Sequence, residues 1–192
     1  MTAILLAAGA GKRFGSQKLL ARLPDGRYVV EAAAKNLLAG AGHVIAVIGL
    51  DDRLMKALDG CGCQVVVNID AEEGMGTSIA AGVRASADAA VWLIALGDMP
   101  YIRPETIASV LKALDGATGI VIPTFGSQRG HPVAFAGAFG SELMALQGDN
   151  GARSVVEAHA DQVKLLPVDD AGVVRDIDTP GDLHVIFPRH QP

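Results

Sequence analysis

Short runs of apolar residues recur along this chain, and segments with the spacing of amphipathic helices separate them. Few polar residues interrupt these runs, which is typical of strands that are covered on both faces of a sheet. In the first two thirds of the chain, the predicted strands are residues 3–8, 43–48, 64–69, 90–96 and 119–123. The alternation predicts an α/β fold with three layers, in which helices cover both faces of a mostly parallel, Rossmann-like sheet.

The predicted helices lie between these strands. They are residues 29–38, 51–58, 77–87 and 104–114, with Thr77 as the N-cap of the third and Pro104 in the first turn of the fourth. After residue 125 the pattern is less regular. There it predicts a polar loop at 125–131, a strand at 132–135, helices at 140–146 and 152–160, a hairpin of 163–168 with 173–177, and a short helix from Pro180. No linker or repeat interrupts the pattern, so we expect one domain over residues 1–192.

The composition narrows the class of protein further. Half of the 192 residues are hydrophobic but only 4% are aromatic, so the core has to be built from Ala, Val, Leu and Ile. A net charge of −5 argues against a nucleic-acid partner. The longest uncharged run, residues 36–50, is shorter than the roughly 18 apolar residues of a membrane-spanning helix, so we expect no membrane partner. Cys61 and Cys63 suit neither a disulfide nor a zinc site, which agrees with a cytoplasmic protein.

The first predicted strand ends in a loop that is rich in glycine and positive charge. Its glycines and cations are Gly9, Gly11, Gly15, Lys12, Arg13 and Lys18. Glycines allow backbone N–H groups to approach a ligand closely, and the cations neutralise it. We therefore expect a specific anion here, above all a nucleoside triphosphate, although a tight turn with solvated charges has the same pattern. Neither the Walker loop nor the dinucleotide fingerprint fits, because Arg13 follows Lys12 and Phe14 replaces the third glycine.

Carboxylates follow two later apolar segments. Asp98 comes directly after a predicted buried strand, and ligands of such sheets bind beyond the carboxyl ends of the strands. A carboxylate there suits Mg²⁺, which prefers one or two carboxylates together with substrate phosphates. Asp176 and Asp178 lie two positions apart, so they share one face of an extended segment, and either could be the second carboxylate. A turn before Pro100 and a helix N-cap before Pro180 are the alternative interpretations.

Three further segments are polar and rich in glycine. Residues 74–78 combine glycines with the start of a predicted helix, which makes a platform for a base, a ribose or a phosphate. Residues 129–132 and 148–153 lie in the irregular part of the chain, where such loops often determine specificity. The sequence contains no Gly-x-Ser-x-Gly elbow and no cysteine placed to pair with a histidine, so a nucleophilic mechanism is not indicated.

Taken together, these motifs resemble those of the molybdenum-cofactor nucleotidyltransferases, and among them most closely the cytidylyltransferases. The matching motifs are Leu-Ala-Ala-Gly-x-Gly-x-Arg-Phe-Gly-x-x-Lys (6–18), Gly-Met-Gly-x-Ser (74–78), Leu-x-Asp-Met-Pro (96–100), Arg-Gly-His-Pro (129–132), Gly-Asp-x-Gly-Ala-Arg (148–153) and Asp-Ile-Asp-Thr-Pro (176–180). The first motif is shared with sugar-phosphate nucleotidyltransferases, whereas its combination with the later motifs is more specific to the molybdenum-cofactor family.

The resemblance implies a GT-A-like (nucleotide-diphospho-sugar transferase) fold and transfer of a nucleotide monophosphate from an NTP to an acceptor phosphate, with release of pyrophosphate. It implies catalytic roles for Lys18, Arg13 and Asp98, and Mg²⁺ (or Mn²⁺) on Asp98 and Asp178. The nucleotide-binding residues that it implies are Leu6, Ala7, Ala8, Gly9, Gly11, Lys12, Arg13, Phe14, Gly15, Lys18, Gly76 and Ser78. The acceptor-binding residues expected from the polar loops are Arg129, His131, Asp149 and Arg153. Guanylyl members have glycine where this chain has Ala8, and the added side chain narrows the base pocket in favour of CTP.

The implied acceptor is molybdopterin or the molybdenum cofactor, and a molybdoenzyme or its chaperone is a candidate partner. Other possibilities remain open. The chain could use GTP, charge a sugar phosphate, act as a Rossmann-type redox protein, or carry a cofactor without catalysis. Phe14 and the cationic loop argue against the redox protein, and the presence of both Lys18 and Asp98 argues against a carrier.

Overall fold

The computed structural model describes residues 1–9, 17–115 and 118–184, and the strands in these ranges form one mixed sheet. The strands are β1 Thr2–Leu6, β2 Val44–Ile48, β3 Gln64–Val67, β4 Val91–Leu96, β5 Ile120–Phe125, β6 Gln128–Arg129, β7 Val133–Ala136 and β8 Val163–Pro167. Their order is β3-β2-β1-β4-β7-β5-β6, with β8 beside β5. The first four strands of this order are parallel to one another, whereas β7 is antiparallel to both β4 and β5.

Helices cover both faces of the sheet, as the sequence predicted. They are α1 Val29–Ala41, α2 Asp52–Gly60, α3 Met75–Arg84, α4 Pro104–Lys112, α5 Gly140–Met144 and α6 Arg153–Ala158. Successive side chains of β1 point to opposite faces, so Ala3 and Leu5 pack with α1, α2 and α4, while Ile4 and Leu6 pack with α3, α5 and α6. This burial on both faces explains why β1 has no polar alternation. Within the described ranges, no helix combines the length and apolar character that crossing a membrane requires.

Two local predictions are wrong. Thr77 is not an N-cap, because α3 begins two residues earlier and Gly74 occupies the cap position. The Thr77 hydroxyl lies 2.9 Å from the carbonyl oxygens of both Asp70 and Gly74. Residues 125–131, predicted as a loop, contain the short strand β6, which forms a hairpin with β5.

The predicted hairpin of residues 163–177 is also wrong. β8 pairs in parallel with β5, and the second half of the supposed hairpin begins as the 3-10 helix Ala171–Val174. The buried Asp170 determines this turn by accepting hydrogen bonds from the backbone N–H groups of Gly172 and Arg103. The chain then returns to the end of β4, where the N–H of Ile177 donates to the carbonyl of Asp98 at 2.9 Å. This return brings residues 176–178 to the carboxyl edge of the sheet.

Candidate active site

Lys18 lies between two carboxylates at the carboxyl edge of the sheet. Its Nζ donates to Oδ2 of Asp98 at 2.8 Å and to Oδ1 of Asp178 at 3.0 Å. Lys18 begins the 3-10 helix Lys18–Leu20, and Asp98 follows β4 by two residues. The side chains of Lys18 and Asp98 are only 13% and 23% exposed, so solvent screens this pair less than it would a surface pair. The structure thus joins three residues that the sequence assigned to catalysis and metal binding.

A third carboxylate completes the cluster. One oxygen each of Asp98, Asp176 and Asp178 lie within 4.8 Å of one another. Oδ1 of Asp98 is buried and has no hydrogen-bond partner among the described residues. An orphaned carboxylate oxygen beside two other hard oxygen ligands is what Mg²⁺ or Mn²⁺ requires, so these residues fit a divalent cation. The spacing left Asp176 and Asp178 as alternatives and the family resemblance named Asp178, whereas the structure brings both to Asp98.

Burial and the neighbouring charges of the cluster shift the pKa values of Lys18 and Asp176. Burial by itself lowers the pKa of Lys18, but the hydrogen bonds and negative charges of Asp98 and Asp178 outweigh it and raise that pKa. Lys18 therefore stays protonated at neutral pH. Burial raises the pKa of Asp176, and the charges of Asp178 and Asp98 add to this rise.

Neighbouring bonds hold the cluster in place. The N–H of Gly97 donates to the carbonyl of Leu6 at 2.9 Å, which fixes the chain just before Asp98. Next to Lys18, the side-chain amide of Gln17 donates to Oδ2 of Asp51 at 2.7 Å. Asp51 is also the N-cap of α2, where its carboxylate accepts from two backbone N–H groups. Lys18 is thus anchored to a rigid helix through the preceding residue.

A cavity of about 530 Å³ lies on one side of the cluster, which we call the nucleotide side. Its lining includes five of the residues predicted to bind the nucleotide, namely Leu6, Ala8, Gly9, Lys18 and Ser78. Ala7 and Gly76 are not among the described lining residues. Ala7 is buried in the core, and Gly76 packs against the backbone of Gln147. Gly11, Lys12, Arg13, Phe14 and Gly15 lie outside the described residues.

The start of α3 forms part of this cavity and depends on glycine. The N–H of Gly76 donates to the carbonyl of Gly148 at 2.8 Å. Gly74 has φ +121°, and a Cβ at either glycine would collide with the backbone of residues 147–149. The buried Asn68 holds the same turn, because its side-chain amide donates to the hydroxyls of Thr77 and Ser78 at 3.0 and 3.1 Å. No sequence signal had singled out Asn68.

A second cavity of about 570 Å³ adjoins the first, and we call it the acceptor side. Its floor is apolar and is formed by Ile79, Ile94, Ile122, Val133, Phe135 and Val156. All four residues predicted to bind the acceptor line it, namely Arg129, His131, Asp149 and Arg153. Burial lowers the pKa of His131, although the charge of Asp98 opposes this, so the imidazole is neutral at pH 7. Met75, Leu96 and Asp149 border both cavities.

By its fold and by the cationic, carboxylate-bearing end of its parallel strands, this protein is an α/β nucleotidyltransferase. Residues 3–163 match the MobA-like NTP transferase domain, and the chain belongs to that family. This membership confirms the resemblance to the molybdenum-cofactor nucleotidyltransferases.

Three relatives show how widely the family extends. Over 188 residues, the chain is 32% identical to nicotine blue oxidoreductase of Paenarthrobacter nicotinovorans, covering 93% of this chain and 92% of that protein. A Methanothermobacter nucleotidyl transferase has a TM-score of 0.81 at 25% identity, covering 94% and 93% of the two chains. Rv0371C of Mycobacterium tuberculosis, solved as a complex with manganese, has a TM-score of 0.73 at 28% identity, covering 94% of each chain.

Proposed function

We propose that this nucleotidyltransferase transfers CMP from CTP to the terminal phosphate of molybdopterin or of the molybdenum cofactor and releases pyrophosphate. The observation that carries the proposal is the cluster of Lys18 with Asp98 and Asp178 beside the nucleotide-side cavity, which shares Met75, Leu96 and Asp149 with the acceptor-side cavity. One cavity has the glycine-bearing end of β1, as a triphosphate site needs. The other adjoins it and has the volume that an acceptor needs.

Asp98 and Asp178, with Asp176 beside them, would hold Mg²⁺ or Mn²⁺. The orphaned Oδ1 of Asp98 and the manganese complex of a relative at 28% identity support this assignment. Bound there, the cation would neutralise negative charge that develops on phosphate oxygens.

The cationic groups of the site act on the phosphates directly. The Lys18 ammonium stabilises the α-phosphate and the leaving pyrophosphate, together with Arg13 and the backbone N–H groups of the loop after β1. The terminal phosphate of the acceptor is already an anion at neutral pH and attacks the α-phosphorus in line. No general base is therefore needed.

The choice of base and acceptor depends on the lining of the two cavities. The methyl group of Ala8 narrows the nucleotide side and favours a pyrimidine. On the acceptor side, the apolar floor takes the body of the acceptor, while His131, Asp149 and Arg153 bind its polar groups. A molybdoenzyme or its chaperone would receive the product.

A second candidate function is a redox reaction in the same cleft. The observation that favours it is the 32% identity to a relative named as an oxidoreductase, over almost the full length of both chains. Two experiments separate the candidates. They are pyrophosphate release and the oxidation of NADH or NADPH in the presence of a dye.

The first experiment measures pyrophosphate release from each of the four NTPs with Mg²⁺ or Mn²⁺, using molybdopterin, the molybdenum cofactor or a sugar phosphate as acceptor. We expect release from CTP with a molybdopterin-type acceptor and loss of release in Lys18→Ala. Release from GTP alone, or with a sugar phosphate alone, would overturn the base or the acceptor assignment. No release from any pair, together with nicotinamide oxidation, would favour the redox function.

A further inference from the structure

We propose that Lys18 takes the place of the divalent cation when no nucleotide is bound, so that the cation binds tightly only together with a nucleotide. The inference rests on the proposed function, because it takes the aspartate cluster as the metal site. The inference adds to the proposed function a second role for Lys18, which is to make metal binding depend on the triphosphate.

The contacts of Lys18 are those that a bound cation would need. Its Nζ lies 2.8 Å from Oδ2 of Asp98 and 3.0 Å from Oδ1 of Asp178, and so uses one oxygen of each carboxylate. A Mg²⁺ or Mn²⁺ ion coordinates carboxylate oxygens at roughly 2.0–2.2 Å. The ammonium and the metal therefore compete for the same oxygens, and their like charges repel each other at this separation.

The charge of the cluster depends on Lys18. With Asp98, Asp176 and Asp178 ionised, the ammonium neutralises one of three negative charges held within a few ångströms of one another. Removing it leaves three carboxylates that repel each other and attract a divalent cation more strongly. On this basis Lys18 stabilises the cluster without metal and weakens its affinity for metal.

A triphosphate provides Lys18 with another partner. The Lys18 side chain is only 13% exposed and lines the nucleotide side, so phosphate oxygens in that cavity are the alternative acceptors within its reach. Its backbone is held because Gln17 is tied to Asp51, while a lysine side chain has a flexible four-carbon stem that can redirect the ammonium group. When Lys18 pairs with phosphate, oxygens of Asp98 and Asp178 become available to the cation. Nucleotide and metal should therefore each raise the affinity for the other, as linkage requires.

The test measures Mn²⁺ binding by the electron paramagnetic resonance signal of free Mn²⁺, with wild type, Lys18→Met and the matched control Lys164→Met. Lys164 also pairs with a carboxylate, that of Asp115, but lines neither cavity among the described residues. Each protein is titrated alone and with a CTP analogue that has a methylene group between the α- and β-phosphorus and so is not turned over. The analogue without protein is titrated in parallel, and the Mn²⁺ that it binds by itself is subtracted.

We expect wild type and Lys164→Met to bind Mn²⁺ weakly alone and at least about tenfold more tightly with the analogue, which is within the usual range of coupling between sites. Lys18→Met should bind Mn²⁺ alone at least about tenfold more tightly than wild type, and the analogue should add little. Lys18→Gln should give the same order of affinities, and thermal unfolding confirms that both variants are folded.

Three outcomes would overturn the inference. Tight binding of Mn²⁺ to wild type alone would do so, and so would a Lys18→Met protein that binds Mn²⁺ no more tightly than wild type. In both cases nucleotide and metal still bind, and the proposed function stands. If wild type binds no Mn²⁺ with or without the analogue, the metal assignment in the proposed function fails as well.

Discussion

The two sides of the cleft hold their charged residues in different ways. On the nucleotide side, the side chains of Lys18 and Asp98 are 13% and 23% exposed and bond to each other across 80 positions of sequence. On the acceptor side, the Arg153 side chain is 79% exposed and pairs with Glu157 one turn further along the same helix. The first pair depends on the whole fold, whereas the second depends on a single helix.

Under the proposed function, this difference separates the residues that would act on the phosphates from those that would select the acceptor. Charges that the fold brings together from distant parts of the chain, and that solvent screens little, can stabilise charge in a transition state. Exposed charges above an apolar floor can be exchanged at little cost to stability. Members of one family can therefore share the first arrangement and differ in the second, in keeping with the varied names of the relatives.

The largest effect is expected from Asp98→Asn. The variant loses one negative charge beside Lys18 and a ligand for the cation, so turnover should fall on the order of 10³-fold. Pyrophosphate release at saturating CTP measures this, and thermal unfolding checks that the fold is intact. Asp59→Asn, at an exposed position on α2, is the matched control. A rate within about tenfold of wild type would show that this half-buried carboxylate has no part in the reaction.

A smaller and more selective effect is expected from Arg153→Ala. Loss of one hydrogen bond to a charged acceptor group should raise the KM for the acceptor about tenfold and leave the KM for CTP unchanged. Steady-state kinetics with each substrate varied in turn separate the two. Arg27→Ala, whose arginine pairs with Asp25 in a turn away from the described lining of both cavities, is the control. An equal rise in both KM values would remove the distinction between the two sides.

The smallest effect is expected from Asp51→Ala, which removes the N-cap of α2 and the anchor of Gln17. It should lower the free energy of unfolding by about 1 kcal/mol, as measured by urea denaturation, and reduce turnover only a few fold. Asp51→Asn keeps a capping oxygen and should recover most of the loss. An unchanged free energy of unfolding in Asp51→Ala would mean that this link does not hold the nucleotide side in place.

The pKa of Asp51 leads us to expect that the free energy of unfolding depends on pH. Burial by itself raises the pKa of Asp51, but hydrogen bonds from Gln17 and from backbone N–H groups outweigh it and lower that pKa in the folded state. The resulting stability is present above the unfolded pKa, about 3.9, and is lost as the pH falls through the folded pKa. The advantage of wild type over Asp51→Asn should therefore shrink in acid, and denaturation from pH 7 down to pH 3 measures it.

The parallel part of the sheet could be predicted from the sequence because its signal is local. A strand such as β1 is buried on both faces, and its unbroken apolar run shows this without knowledge of its neighbours. The hairpin of residues 163–177 was wrong for the opposite reason. Two apolar stretches around a polar turn have the local pattern of a hairpin, but β5 is the partner that β8 pairs with, and the buried Asp170 turns the chain away.

The candidate site could also not be predicted from local patterns alone, because its residues come from distant parts of the chain. Lys18 and Asp178 are 160 positions apart, and what placed them together was the order of motifs that the chain shares with a family. Spacing alone put Asp176 and Asp178 on one face but left open which of them reaches Asp98. The structure brings both to Asp98, held by the bond from the N–H of Ile177 to the Asp98 carbonyl, a contact that no pattern in either segment reveals.

The tight packing of Gly74 and Gly76 against the backbone of residues 147–149 has a practical consequence for redesign. The turn before α3 lines the nucleotide side, and the segment that it touches leads into residues 149–153, which line the acceptor side. A change of acceptor preference by segment exchange with a homologue therefore requires that both segments be replaced together. In a chimera that receives only one of the two segments, the turn at Gly74 and Gly76 would no longer fit the backbone of residues 147–149.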